Sequence, residues 1–464
     1  MTKIIEFFDR ELCAEAFSSE PFTFLDPAAH HSMAFINEIM MIENGDYVSR
    51  SNWQKRQLTN LLRNAQKKSN FWKNRMPSRR IQQEDLKFLP VLSRADLVNQ
   101  VNSEGPIYAT TPKEAPMAYA TGGSTGTPVK IYVCEQNSKY NLLRNLAQYF
   151  MYGLNLNKNR TYIGQIVNAE QQNLGIIEKS SSSWAGPLAG VFQNGTNRII
   201  EVSHAGDNIA LVNVLKKSKI DYIVCPNRFI ENIISVGGVE LLKQLGVTTW
   251  IHLSDYREPA VRELLCQSGI KCFSNYSSGE IGPIAYECSS FSGNFHVAHS
   301  NVIIEEDPNV STTFEGITVH RLLITALHSH ATPIIRYDIG DFGNVSQNCP
   351  CGHRGVTISN IYGRKKNFLL HPNGSFIPFY LRAHALLEVI NFKECKIRQI
   401  ERDLIIVEIC DYGNLSEVEI IKFHKFFQTF IDPAFRVVVK KVDKIDWSDS
   451  PKKLFFTSLV EGVI

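Results

Sequence analysis

The residues of this sequence best suited to chemistry begin with the run TGGSTGTPVK from Thr121 to Lys130. Gly122, Gly123 and Gly126 let backbone N–H groups converge on an anion, because no Cβ stands in the way. Thr121, Ser124, Thr125 and Thr127 add hydroxyl donors, a set that suits a triphosphate. The flanks YAT and VKIYV read as strands, so the run is a loop between two strands. It is not the kinase and GTPase loop, which needs G-x-x-x-x-G-K-S/T opening a helix. Here Pro128 follows Gly126-Thr127. Without further context the same composition also fits a surface hairpin loop.

An acid stands in the next such stretch, NYSSGEIG, which follows the apolar run IKCFS. Ligands of open α/β sheets bind outside the carboxyl ends of strands. Glu280 is therefore placed to hold a magnesium ion beside phosphate oxygens; a solvated loop glutamate is the alternative. In TPIIRYDIGDFG, Asp341 is expected just past an apolar strand, flanked by Gly340 and Gly343. There its carboxylate can accept two hydrogen bonds from a diol such as ribose, whereas Asp338 reads as a turn cap. Cys288, His296 and the C-x-C pair Cys349 and Cys351 have the composition of a zinc set, three thiolates and an imidazole. The alternative for them is buried thiols. Ser278 has no histidine in a matching context, so no Ser-His-Asp arrangement is indicated.

These residues need a scaffold, and the chain supplies one large enough. Its 464 residues exceed one typical domain. The net charge of +3 implies neither nucleic acid nor an anionic membrane surface as partner. No run approaches the roughly 18 apolar residues of a membrane span. The start, MTKIIEFFDRELCAEAF, lacks a signal peptide's long apolar core. Ten cysteines in a chain of this size are expected to be reduced thiols in a cytoplasmic protein. Cys13, Cys134, Cys225, Cys266, Cys272, Cys395 and Cys410 read as solitary, most of them in apolar runs as core residues.

Residues 1–48 read as a packing extension, with Ile4, Phe7, Phe8 and Leu12 on one helical face and Pro21, Pro27 and His30-His31 interrupting it. Trp53, Leu58, Leu61, Leu62 and Ala65 recur at helical spacing. Ser93 and Asp96 form a capping-box pattern. A helix is expected from Gln136 to Tyr152, and a long polar loop over 171–190, where Trp184 either lines an aryl pocket or packs. Strands such as KIDYIVC and VTTWIHL then alternate with helices such as NIALVNVLKKS, RFIENIISV, VELLKQL and PAVRELLCQSG. That alternation predicts an α/β fold with a mostly parallel sheet covered on both faces. Beyond the Lys365-Lys366 turn, LIIVEIC, SEVEIIKFHKFFQTFI and FRVVVKKV describe a small α+β domain. The expected division is 1–48, 49–364 and 365–464.

Together these motifs resemble the adenylate-forming enzymes, and within them the phenylacetate–coenzyme A ligase and CapK-like branch. The resemblance runs from about Tyr47 to Val460. TGGSTGTPVK is similar to that family's phosphate loop and YSSGE, followed by GPIAYEC, to its aromatic-x-x-Ser/Thr-Glu motif. RYDIGD and YGRKKN resemble its ribose-binding and hinge motifs. The resemblance implies a large domain that binds ATP and a small-molecule carboxylic acid, and a small mobile domain that rotates between two half-reactions. Residues Thr121 through Thr127 would cradle the phosphates. Tyr276 and Ser277 would lie by the nucleotide and acyl carboxylate, Glu280 would hold Mg2+, Asp341 the ribose, and Arg364 the nucleotide. A structural Zn2+ would sit on Cys288, His296, Cys349 and Cys351.

The sequence departs from the pattern at three places. Gly279 stands where Ser or Thr usually precedes the glutamate, Asn367 replaces the aspartate after the Gly363-Arg364 pair, and SPKKLFF replaces the C-terminal Gly-Lys. Lys453 corresponds best to the catalytic lysine, with Lys452 its neighbour. The implied activity activates an acid, with an aryl or related acid favoured, as acyl-AMP and transfers it to coenzyme A. The same adenylate would serve an amine or a carrier-protein thiol. A zinc-stabilised nucleotide-binding protein without catalysis is the other class, and a homodimer is left open.

A lysine ammonium would stabilise charge developing on the carboxylate oxygen and α-phosphate. Such stabilisation is commonly worth about 3 kcal/mol, so Lys453→Ala should slow adenylation on the order of a hundredfold. Thioester formation from preformed acyl adenylate should be far less affected. Timing both half-reactions in Lys453→Ala and Lys452→Ala checks this. A selective loss in Lys452→Ala moves the assignment by one residue, and no loss in either removes it.

Overall fold

A computed structural model describes residues 27–98, 117–120, 129–166, 171, 174–203, 208–253, 259–314, 316–363, 368–379, 389–390, 392, 394–411, 413, 415–447 and 456–460. In chain order its helices are α1 (Pro27–Asn44), α2 (Tyr47–Lys68), α3 (Asn70–Arg75), α4 (Glu135–Met151), α5 (Asn208–Leu215), α6 (Asn227–Gln244), α7 (Pro259–Gln267) and α8 (Glu417–Phe430). The first ten strands are β1 (Met117–Ala120), β2 (Lys130–Val133), β3 (Arg160–Gln165), β4 (Ile176–Ser181), β5 (Asn197–Val202), β6 (Tyr222–Cys225), β7 (Thr249–His252), β8 (Lys271–Ser278), β9 (Gly282–Glu287) and β10 (Phe295–Val297). They are followed by β11 (Val302–Phe314), β12 (Ile317–Ala326), β13 (Tyr337–Ser346), β14 (Thr357–Tyr362), β15 (Phe368–Leu370) and β16 (Phe376–Pro378). The last four are β17 (Glu394–Glu401), β18 (Leu404–Cys410), β19 (Arg436–Lys441) and β20 (Phe456–Ser458).

The chain divides into two compact units. One comprises Met1–Arg50, Ser138–Ser277 and Tyr286–Ser290; the other comprises Ser51–Asn137, Ser278–Ala285 and Phe291–Ile464. In the first, strands run in the order β8-β7-β6-β3-β5-β4. All neighbours are parallel except β4, which pairs antiparallel with β5 at the edge. YIVC and TWIH are buried along their whole length, as parallel strands covered on both faces must be. Alternate residues feed opposite cores. Tyr222, Val224 and Ile251 join α1 and α4, while Ile223, Cys225 and Trp250 join α5, α6 and α7.

Two local readings change here, and a third holds. His30 and His31 do not interrupt a helix but lie exposed on α1, whose Ala29, Met33, Ile36 and Met40 are buried. Pro27 occupies its first position, where no backbone N–H is needed. The loop expected over 171–190 contains strand β4, whose Glu178–Ser181 end is exposed because the strand is an edge. Polar edge residues hide a strand from pattern reading. RFIENIISV and VELLKQL are both helical, separated by non-helical Gly237 and Gly238 inside α6.

In the second unit the order is β15-β16-β11-β12-β13-β14-β10-β9, and from β15 to β10 the neighbours are antiparallel apart from a short parallel contact between β11 and β16. The mostly parallel arrangement is thus confined to the first unit. Leu58, Leu61, Leu62 and Ala65 of α2 are wholly buried, and Trp72 donates from Nε1 to the Pro333 carbonyl at 3.0 Å. The small α+β body is a four-stranded sheet, β19-β18-β17-β20, covered by α8. Ser416 and Glu419 close the N-terminus of α8 with a reciprocal capping box. The expected fold class, α/β with a smaller C-terminal α+β body, is what the structure shows, with a mixed sheet where a mostly parallel one was expected.

Two features join the β15–β16 hairpin to its surroundings. The wholly buried Gln399 accepts from Leu370 N–H at 2.9 Å and donates to the Leu370 carbonyl at 2.7 Å. On the other side Phe314, at the end of β11, meets Tyr362, Phe368 and Phe376 with ring centroids 4.5, 4.4 and 6.0 Å away. Phe314 is fully buried among these rings. Phe314→Ala should therefore cost about 3 to 5 kcal/mol in urea unfolding, the usual price of removing a core phenyl group. A loss below about 1 kcal/mol would show that the cluster is not a packed core.

Candidate functional site

The glycine loop is carried by a hairpin. β1 and β2 pair antiparallel with Ala120 opposite Lys130, so the loop's two ends are held together. Thr121, Gly122, Gly123, Ser124, Thr125, Gly126 and Thr127 themselves lie outside the described residues. The hairpin is tied to the segment before β13 by one hydroxyl. Thr332 Oγ1 accepts from Tyr132 N–H and donates to the Tyr132 carbonyl, both at 3.0 Å. That contact is a side-chain substitute for a strand ladder, and sequence spacing does not reveal it.

Glu280 occupies the turn Gly279-Glu280-Ile281 between β8 and β9. It is 9% exposed, so it is not the solvated glutamate of the alternative reading. Arg94 donates from Nη1 to its Oε1 at 3.2 Å. Arg94 is a neighbour of Glu280 that motif reading missed; its position just after the Ser93 cap was the available signal. Ser93 and Asp96 do form the expected reciprocal cap, with Ser93 N–H to Asp96 Oδ2 at 2.9 Å and Asp96 N–H to Ser93 Oγ at 3.1 Å. The segment before this helix runs beside the start of β13: Leu92 N–H bonds the Arg336 carbonyl and Asp338 N–H bonds the Leu92 carbonyl.

Asp341 is half-buried and lies within β13 rather than just past a strand. The register explains the difference. Arg321 of β12 faces Phe342 and Leu323 faces Asp338, so Ile339, Gly340 and Asp341 share the space opposite Leu322. Glycine at the centre, with φ +87°, makes this bulge accessible and breaks the apolar pattern that marks a strand. Asp338 has more than a capping role: it accepts Gly340 N–H at 2.9 Å and pairs with Arg321 at 3.1 Å. Arg336 pairs with Glu305 at 3.3 Å. Burial pushes the Glu305 carboxyl up, opposed by the Arg336 charge.

In the other unit, Tyr276 is half-buried and Ser277 exposed at the end of β8. The preceding Asn275 accepts at 2.7 Å from Gln148 of α4, a wholly buried side chain. His252 Nδ1, at the carboxyl end of β7, stands 2.9 Å from Ser274 Oγ. Arg144 lies nearly inaccessible in this unit, and burial lowers its pKa to about 10, with the Tyr286 and Glu43 charges working the other way. Trp184 is packing: it is 4% exposed, donates to the Lys158 carbonyl at 2.7 Å and meets the rings of Tyr149 and Tyr222 edge-on. Arg364, Lys452 and Lys453 lie outside the described residues.

The cysteine and histidine set does converge. The ligand atoms of Cys288, His296, Cys349 and Cys351 all lie within 4.8 Å of one another. Cys351 Sγ is 3.4 Å from His296 Nε2. Ligands at about 2.0–2.3 Å around a tetrahedral ion stand roughly 3.4–3.8 Å apart, so the donor types and the His296–Cys351 separation fit zinc, while the spread of the whole set, up to 4.8 Å, is wider. The turn at Cys349–Gly352, with Gly352 at φ +91°, aims both sulfurs. Asn294 Nδ2 donates to Cys349 Sγ at 3.7 Å and His353 N–H to Cys351 Sγ at 3.4 Å. Cys225, Cys272, Cys395 and Cys410 are buried thiols as expected, whereas Cys266 is exposed.

No protein-family model matches the sequence, and no curated protein matches it. Among solved structures, the chain is similar to 2-hydroxyisobutyryl-CoA ligase in its postadenylation state in complex with 2-HIB-AMP. That match has a TM-score of 0.60 and 16% identity, covering 91% of this chain and 92% of the other. The same ligase in complex with 2-HIB-AMP and CoA, in its thioester-forming state, matches with a TM-score of 0.55 and 16% identity, again covering 91% and 92%. Along nine-tenths of its length the chain shares the fold of that acyl-CoA ligase.

Proposed function

We propose that this protein is an AMP-forming acid–thiol ligase, which activates a carboxylic acid with ATP and passes the acyl group to coenzyme A. The observation that carries the reading is the buried Glu280 turn between β8 and β9, inside a fold shared along nine-tenths of the chain with an acyl-CoA ligase. The four motifs that resemble the adenylate-forming enzymes add to it. A carboxylate is a poor acyl donor because its leaving group would be oxide. Attack of a carboxylate oxygen on the α-phosphorus forms an O–P bond and expels pyrophosphate with the bonding pair. The coenzyme A thiolate then attacks the acyl carbon, and AMP leaves.

In this reading Glu280 is the Mg2+ ligand, and the metal would neutralise charge on the departing phosphates. Arg94 balances the Glu280 carboxylate and keeps it turned into the protein. Thr121 through Thr127 bind the phosphates, Tyr276 and Ser277 flank the acyl adenylate, and Asp341 takes the ribose hydroxyls. Arg364 and Lys453 come from the hinge and the 365–464 domain. An aryl or related acid follows from the resemblance alone, since Trp184 is taken up in packing.

The experiment is acid-dependent pyrophosphate release, measured across aromatic, aliphatic and amino acids with coenzyme A, amines and carrier-protein thiols added one at a time. Release with some acid, and discharge by coenzyme A, is the expected result. No release with any acid would favour the non-catalytic class. Glu280→Gln should reduce release on the order of a hundredfold with an unchanged circular dichroism spectrum. Full turnover of that variant at limiting magnesium would remove the metal role.

Cys288, His296, Cys349 and Cys351 are proposed to hold one structural zinc. Metal analysis of protein purified without added zinc should give one equivalent per chain, and Cys351→Ser should lower it. Zinc content near zero, or unchanged in Cys351→Ser, would return these residues to unligated thiols.

A further inference from the structure

The bulge that carries Asp341 is not held by its own turn alone. Three strands contribute to it. Asp307 on β11, Arg321 on β12 and Asp338 on β13 form one chain of charges, with Arg321 Nη2 and Nε on Asp307 Oδ2 and Arg321 Nη1 on Asp338 Oδ2 at 3.1 Å. Asp338 then uses its other oxygen, Oδ1, to hold Gly340 N–H at 2.9 Å. The guanidinium thus bears on the carboxylate that holds Gly340, the residue before Asp341. The Asp307 end is fixed independently, because Asp307 Oδ1 accepts Asn309 N–H at 3.0 Å within β11.

We propose that Arg321 is a positioning residue for nucleotide recognition: by bridging Asp307 and Asp338 it holds the Ile339–Asp341 bulge in the form that presents Asp341 to a vicinal diol. This rests on Asp341 being the ribose ligand. The side chains of Arg321 and Asp338 are 23% and 25% exposed and that of Asp307 is 7% exposed, so the bridge is partly shielded from solvent screening. Burial alone would lower the Arg321 pKa, but its bonds and charges toward Asp307 and Asp338 more than offset this. Without the guanidinium, Asp338 is released to solvent and the glycine-centred bulge loses its anchor. A bulge with glycine at φ +87° has many alternative conformations to reach.

A role confined to sheet stability would weaken every nucleotide alike, whereas a positioning role acts only through the ribose hydroxyls. The test is therefore equilibrium binding of AMP, 2′-deoxy-AMP and 3′-deoxy-AMP by calorimetry to the wild type, Asp341→Ala, Arg321→Gln and Arg321→Lys. The wild type should bind AMP about tenfold or more tighter than either deoxynucleotide, the usual worth of a hydrogen bond to a charged group. In Arg321→Gln the ratio should shrink to within about threefold, through weaker AMP binding with the deoxynucleotides nearly unchanged. Arg321→Lys should restore part of it.

Equal weakening of all three nucleotides, or a wild-type ratio in Arg321→Gln, would overturn the proposal while leaving the ribose reading of Asp341 intact. Absence of any ratio in the wild type would overturn the ribose reading and the proposal with it. If Arg321→Gln does not fold, Asp338→Asn carries the test. It keeps an oxygen for Gly340 N–H but turns an amide nitrogen toward Arg321, and it should narrow the same ratio.

Discussion

Two backbone hydrogen bonds, Leu92 N–H to the Arg336 carbonyl at 3.0 Å and Asp338 N–H to the Leu92 carbonyl at 2.9 Å, set the frame of the chemistry-bearing part of the second unit. Leu92 is wholly buried, so these polar groups have no water to fall back on, and the pairing is obligatory. Their consequence is positional. The strand that carries Asp338 and Asp341 is held against the segment that delivers Arg94 to Glu280. Arg336 reinforces the same junction by donating to the Leu89 carbonyl and to Glu305. Its φ of 48° is unusual for a residue with a side chain, and the contacts on all sides of it offset that strain.

Much of the architecture was legible because the physics was local. YIVC and TWIH are short apolar runs between helices, and only parallel strands covered on both faces tolerate such runs. The Ser416–Glu419 and Ser93–Asp96 boxes close within four residues, so spacing alone announces them. The set Cys288, His296, Cys349 and Cys351 was readable from composition, though spacing also left buried thiols open.

What was not legible depends on partners distant in the chain or on residues that disguise their setting. Arg94 meets Glu280 from 186 positions away, and Thr332 meets Tyr132 from 200. No window of sequence contains both members of either pair. Asp341 was placed outside its strand because a bulge interrupts the alternation that identifies strands, and the Gly340 that permits the bulge reads as a turn. Strand β4 was taken for loop since its polar residues answer to solvent rather than to a core. At Trp184 two readings were open, pocket or packing, and the structure shows packing. A tryptophan in a polar stretch suggests a ligand, but its N–H has a backbone partner and its ring has aromatic neighbours.

Gln399 has a mechanical meaning. Its amide grips both main-chain groups of Leu370, accepts a hydroxyl hydrogen bond from Ser458 and donates to the Arg402 carbonyl, so it is a rigid, directional clamp between β15 and the four-stranded sheet. On its opposite flank the hairpin meets β11 at a single register pair, Phe314 with Phe376, and otherwise through tilted ring contacts. Ring contacts are short-ranged but not directional, and they slide at low cost, whereas a saturated amide breaks all at once. Torque applied to the small sheet is therefore transmitted into the hairpin and relieved at the aromatic side. The hairpin is geared to the small sheet, and Phe314 is the bearing on which it would turn.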